Sequence, residues 1–167
     1  AARADAELTL ARRFLRTCRA NMRHRKVADS SGAELTGARL LTGALVFRRI
    51  LRREVLASNE RYVGVLLPPS AGSALSNAAL TLDRRIAVNL NYTASSDVLN
   101  GCLAQCGIRH ILTSPRLLER FPLKLDAEKT QIAAWLRTWA GPGALDLPAA
   151  VLNDGDWQRG AALLELG

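Results

Sequence analysis

The chain is poor in aromatic residues, histidine and cysteine. Phe, Trp and Tyr make up 5% of its 167 residues. Single-stranded nucleic acid is held by stacking on aromatic side chains. Few aromatics lie among the arginines here, and neither a zinc-finger spacing nor an RNP-like aromatic motif occurs. No nucleic-acid partner is expected. The three cysteines, Cys18, Cys102 and Cys106, are odd in number and do not make a disulfide framework. Reduced thiols in a cytoplasmic setting are the simplest expectation. Cys102 and Cys106 are four apart and would share a helix face. With only His24 and His110 and no second cysteine pair, a zinc-type ligand set is not completed. The thiols read instead as small apolar groups, and no metal is expected on this chain. No apolar run approaches the roughly 20 residues of a membrane-crossing helix. The segment from Ala1 to Ala6 has neither the basic start nor the apolar core of a secretory leader.

What is present is apolar residues, at 49%, and positive charge, at a formal excess of +8. That composition and length suit one folded domain with its own core. The charge is mostly arginine. Arg12, Arg13, Arg16, Arg19 and Arg23 lead into Arg25 and Lys26, and Arg48, Arg49, Arg52 and Arg53 form a second cluster. Such patches attract anions in general, whether nucleic acid, acidic lipid headgroups or an acidic partner protein. The plain alternative is a solvated helix face.

Hydrophobic periodicity divides the chain into alternating elements. Residues 1–25 read as a basic amphipathic helix centred on 5–23, with Ala11, Phe14, Leu15, Cys18 and Met22 on the apolar side. Asp29 to Gly32 form a turn, and Thr36 caps a second helix reaching about Leu56. Tyr62 to Leu67, ended by Pro68-Pro69, is a buried strand. A small-residue helix follows from Ser70 to about Leu82, then a strand at Ile86–Leu90. Ser95 or Ser96 caps a helix through Gln105 that Gly107 stops. His110–Thr113 is a third strand, and Pro115 opens a short helix. Beyond residue 120 the reading is a helix over 127–140, with Trp135 and Trp139 packed on one side. A fourth strand is read near 149–152 and a final helix or tail at 157–166. Strands alternating with helices predict an α/β fold, a short parallel sheet with helices on both faces, preceded by two helices. Ligands of such sheets bind beyond the carboxyl ends of the strands, here Pro68 to Ser70, Asn89 to Thr93, and Thr113-Ser114.

A search for chemistry at those ends finds little. Neither G-x-G-x-x-G after a strand nor G-x-x-x-x-G-K-[ST] is present, and there is no G-x-S-x-G elbow. Ser70, Gly72 and Ser73 form a candidate anion loop, because they join a strand to a helix whose amides could cradle a phosphate. Asp29, Asp83 and Asp97 stand alone in sequence. Asp83, before Arg84-Arg85, reads as a surface turn residue, and His110, inside a strand, reads as a satisfied core or rim histidine.

Read together, several segments resemble the adenylate-forming superfamily of acyl-CoA and acyl-carrier-protein synthetases. Lys26 to Thr36, K-V-A-D-S-S-G-A-E-L-T, resembles the family's opening hairpin and L-T-Y helix start, with Gly37 where an aromatic is usual. Tyr62 to Ser70, Y-V-G-V-L-L-P-P-S, resembles its V-A-V-L-L-P-N-S strand and turn. Ala78 to Tyr92 resembles the approach to V-P-L-N-P, although Asp83-Arg84-Arg85 replaces the usual Ala-Gly. Ser95 to Ser114 resembles the following helix and strand. The resemblance covers residues 26–120. It is nearest to the synthetase half of bifunctional acyl-[acyl-carrier-protein] synthetase/2-acylglycerophosphoethanolamine acyltransferases.

The resemblance implies the N-terminal subdomain of a ligase that activates a fatty acid with ATP and magnesium and passes it to a carrier thiol. The family's phosphate loop, adenine and hinge motifs and C-terminal lysine have no counterpart here. It therefore implies a truncated or split-off piece, with no catalytic residue and no cofactor of its own. Its partners would be the remainder of the parent ligase, an acyl-carrier protein or an acidic membrane surface, and a second copy covering the face left bare. The competing reading is an autonomous flavodoxin-like module that binds an anion or a partner.

Overall fold

In the computed structural model, residues 9–30 and 32–131 are described. Thr9 caps the first helix, α1 (Leu10–Ala20), by accepting from the Arg12 amide, and Asn21 ends it. A hairpin follows, β1 (Arg25–Ala28) against β2 (Glu34–Thr36), antiparallel. Its residues are mostly exposed, with Leu35 as its buried anchor. Thr36 caps α2 (Gly37–Ile50) through its side chain. The last turn, Leu51–Val55, widens into π-helical geometry. The expected second helix is thus one continuous rod with a changed final turn.

The main sheet is parallel. Its strands β3 (Tyr62–Leu66), β4 (Ile86–Asn89), β5 (His110–Thr113) and β6 (Glu128–Gln131) lie in the order β4-β3-β5-β6. Between them run α3 (Ala71–Leu82), α4 (Ser96–Cys106) and α5 (Pro115–Arg120). Gly107 ends α4 in the left-handed conformation (φ +61°), which a residue without Cβ adopts at little cost.

The alternation of side chains across the sheet separates two cores. Val63, Val65 and Leu112 pack with Phe47, Ile50, Leu51, Ala79 and Leu80 on the α2–α3 side. Leu66 and Ile111 pack with Leu90, Leu99, Leu103, Ile108 and Leu117 on the α4–α5 side. A third cluster, Cys18, Leu35, Leu40, Ala44, Ala71 and Leu75, fixes α1 and the hairpin outside α2 and α3. The expected α/β architecture, with two helices before the sheet, is therefore present.

Two expectations are corrected. Helix α1 starts at Leu10 and stops at Ala20, inside the span read from periodicity, because Thr9 and Asn21 supply its ends. Residues 128–131, read as the start of a helix, extend the sheet as β6, paired His110↔Glu128 through Thr113↔Gln131. The open edge of β5 presents unpaired backbone groups, and pairing them outweighs the local helical period. The strand expected at 149–152, the tail at 157–166, and Trp135 and Trp139 lie outside the described residues.

Candidate functional site at the carboxyl edge of the sheet

The chain leaves β3 for β4 on one side and returns past β3 to β5 on the other. The carboxyl ends of β3 and β5 therefore flank the point where the winding reverses, the usual ligand crevice of an open parallel sheet. Leu66 and Thr113 are ladder partners there. Thr113 is fully buried, and its Oγ1 has no hydrogen-bond partner among the described residues. Just beyond it, Ser114 caps α5 by accepting from the Leu117 amide at 3.3 Å.

The expected anion loop lies on the β3 side of this crevice. Ser70 Oγ accepts from the Ser73 amide at 3.2 Å, an N-cap of the ordinary kind. The Ala71 amide donates to Asp29 Oδ2 at 2.8 Å, while Asp29 Oδ1 accepts from the Ala33 amide at 3.3 Å. Asp29 thus ties the hairpin turn to the start of α3 and brings its own negative charge to the helix N-terminus, where such charge is favoured. A phosphate approaching Ser70, Gly72 and Ser73 would meet that carboxylate. No local pattern signals this pairing, because Asp29 and Ala71 are 42 positions apart.

The β4 end is polar and outward. Asn77 and Asn89 exchange two amide hydrogen bonds at 3.0 Å. Asn91 Oδ1 accepts from both the Thr93 amide and hydroxyl. The Tyr92 ring packs beside Phe121, centroids 5.7 Å apart.

The opposite, amino edge carries a cluster that was not read from sequence. Buried Glu60 meets the ring of His110 through both carboxylate oxygens, at 2.8 and 3.0 Å, and accepts from its backbone amide. Asp83 holds Arg48 at 3.1 Å and Arg85 at 2.7 Å. Arg85 also donates to the carbonyls of Ala57 and Glu60. The Asp83 side chain is 7% exposed, so its reading as a surface turn residue is corrected. Its side chain turns inward because two guanidinium groups from α2 and the β4 approach compensate its burial. His110 is the satisfied rim histidine expected of it.

Arg12, Arg13, Arg16 and Arg19 project from α1, and Arg23 from the turn after it, all exposed. Cys18 on the inner face of α1 is buried, and burial pushes its thiol pKa up against a smaller opposing pull from Lys26. Cys102 and Cys106 are half-buried against the α4 core. Among the described residues, no three of His, Cys, Asp and Glu converge on a point where a metal ion could sit.

No family model matches the sequence. Solved structures do match the fold. The N-terminal subdomain of Klebsiella oxytoca NpsA, in complex with 3-hydroxybenzoyl-AMSN, superposes with a TM-score of 0.66 at 11% identity, over 75% of this chain and 31% of that one. The AMPPNP-bound nonribosomal peptide synthetase FmoA3 gives 0.65 at 18%, over 74% of this chain and 13% of that one. Mycobacterium tuberculosis fatty acyl CoA synthetase gives 0.60 at 18%, over 82% and 29%. The chain thus spans between 13% and 31% of the length of these structures.

The fold is that of the N-terminal subdomains of adenylate-forming enzymes. Its structural neighbours also include a benzoate CoA ligase from Burkholderia xenovorans LB400 and the o-succinylbenzoate coenzyme A synthetase MenE from Bacillus subtilis in complex with AMP.

Proposed function

We propose that the chain is the N-terminal scaffold of an AMP-forming acyl ligase. The parent enzyme would activate a fatty acid with ATP and magnesium as the acyl-adenylate and pass the acyl group to a carrier thiol. The observation that carries this reading is the parallel sheet β4-β3-β5-β6 with its helices, superposable on subdomains of such enzymes. Within that reading the chain supplies one wall of the cleft at the ends of β3 and β5. The acyl-adenylating groups come from the remainder of the parent ligase. The basic face of α1 and a carrier protein or membrane are separate matters of partnership.

Calorimetric titration of the 167-residue chain with ATP and magnesium tests the scaffold role. The expected result is no binding in the micromolar range, since Asp29 already faces the α3 amides. Micromolar ATP binding would overturn it in favour of an autonomous binding module. The fatty-acid assignment is tested separately in the chain extended by whatever its gene encodes after Gly167. Exchange of labelled pyrophosphate into ATP driven by long-chain fatty acids supports it. Exchange driven only by aryl or amino acids overturns it.

A further inference from the structure

The positive charge of this protein is concentrated in one place. Between residues 9 and 26 lie seven arginines and lysines and no aspartate or glutamate, in a chain whose whole formal excess is +8. The rest of the molecule is therefore close to neutral. Helix α1 carries most of that charge on the side away from its buried face. Arg12, Arg16 and Arg19 recur at the spacing that aligns side chains along one helix face, and Arg23 continues the row past the helix end. All four are exposed. Leu10, two positions before Arg12 and therefore on another face of the helix, is exposed at 73%, and Met22, past the helix end, at 46%.

The helix is also held firmly. Cys18 is buried among Leu35, Leu40 and Ala44. The first amides of α2, at Gly37 and Ala38, donate to the carbonyls of His24 and Met22 at 3.0 Å. Over Arg12 to Arg19 the row is thus a rigid line of guanidinium groups about 10 Å long.

We infer that this face docks on a membrane surface bearing anionic phosphate headgroups. Guanidinium matches phosphate oxygens in fork geometry, and a straight row of exposed cations suits a flat, laterally mobile array of anions. A protein partner would call for an aromatic or aliphatic anchor at the centre of the patch, and the row holds only arginine there. Nucleic acid shares the phosphate chemistry, but the row lacks the rings and base-reading groups that single-strand or sequence-specific binding adds, and the RNA arm of the test separates the two. The contact is peripheral, since no described helix is long and apolar enough to cross a membrane.

The test is sedimentation of the 167-residue chain with vesicles of phosphatidylcholine alone and of equal parts phosphatidylcholine and phosphatidylglycerol. Binding is expected to the mixed vesicles only, and to weaken as salt screens it. Each arginine at such a surface contributes about fivefold in affinity, so the triple variant R16Q/R19Q/R23Q should bind about a hundredfold more weakly. The double variant R52Q/R53Q, which removes exposed charge elsewhere, should bind as the parent does. Circular dichroism of each variant separates lost docking from lost fold. A variant that unfolds is replaced by the single charge reversals R16E and R19E, each a change of two charges and so expected to weaken binding about twenty-five-fold with folding intact. Equal binding to neutral vesicles, equal loss in R52Q/R53Q, or tighter binding to an RNA homopolymer at matched salt would each overturn the inference.

Discussion

The two ends of the parallel sheet are built differently. At the amino edge the buried charged side chains Glu60, Asp83 and Arg85 each have a counterpart. Glu60 meets His110, and Asp83 meets both Arg48 and Arg85. At the carboxyl edge Thr113 is equally buried, yet its hydroxyl lacks a partner among the described residues. A closed network contributes specificity and stability, whereas an unsatisfied buried polar atom is a cost that the rest of the fold must outweigh. In parallel sheets ligands gather at the carboxyl ends. The contrast separates the end of the sheet that holds the fold from the end where parallel sheets take their ligands.

The strongest way to break that contrast is to open the amino edge. Asp83→Ala leaves the guanidinium of Arg85, 7% exposed, buried without its carboxylate. Removing one member of a buried ion pair costs about 3–5 kcal/mol, read as a lowered midpoint in urea unfolding. An effect below 1 kcal/mol would mean that water reaches this pair and that the edge is not closed. Glu60→Gln keeps the shape and one acceptor oxygen for His110. It should cost about 1.5–3 kcal/mol, the range for a hydrogen bond to a charged group, measured in the same way. Loss equal to that of Asp83→Ala would merge the two pairs into one cooperative unit, which the double variant would show as non-additivity.

The sequence announced the sheet well and its polar wiring poorly. Runs such as Tyr62 to Leu66 and His110 to Thr113 carry strand formers between clear stops. Ser70, Ser95 and Ser114 each cap the helix they precede, because caps are local chemistry. The hairpin was visible only through family resemblance, since Leu35 is its lone fully buried side chain. Asp29 to Ala71 and Glu60 to His110 join residues 42 and 50 apart, and no local pattern encodes such pairings. The β6 strand was missed for the same reason, because its partner edge exists only after the sheet forms.

Gly37 shows the reverse case, an oddity in sequence that the structure explains. A Cβ there would lie 2.5 Å from the Asn21 carbonyl oxygen and 2.6 Å from that of Cys18. The aromatic usual in the related pattern has no room beside α1. Gly37→Ala should therefore cost about 1–3 kcal/mol by overpacking against backbone. Limited proteolysis should find α1 released before the sheet. If the variant is as stable as the parent, α1 does not press on the start of α2 as described.

The smallest expected effect is the sharpest test of the carboxyl edge. Thr113→Val is nearly isosteric and exchanges a hydroxyl for a methyl. If the hydroxyl is unsatisfied in the folded chain, its removal relieves a desolvation penalty, and the variant should be as stable as the parent or more stable by up to about 1 kcal/mol. Thermal unfolding in the absence of any added ligand measures this directly. Destabilisation of about 1–3 kcal/mol would instead reveal a hydrogen bond made by Thr113 within the chain, and the two edges would then be equally closed. The sign alone decides, because an unsatisfied donor and a satisfied one respond in opposite directions to the same change of atoms.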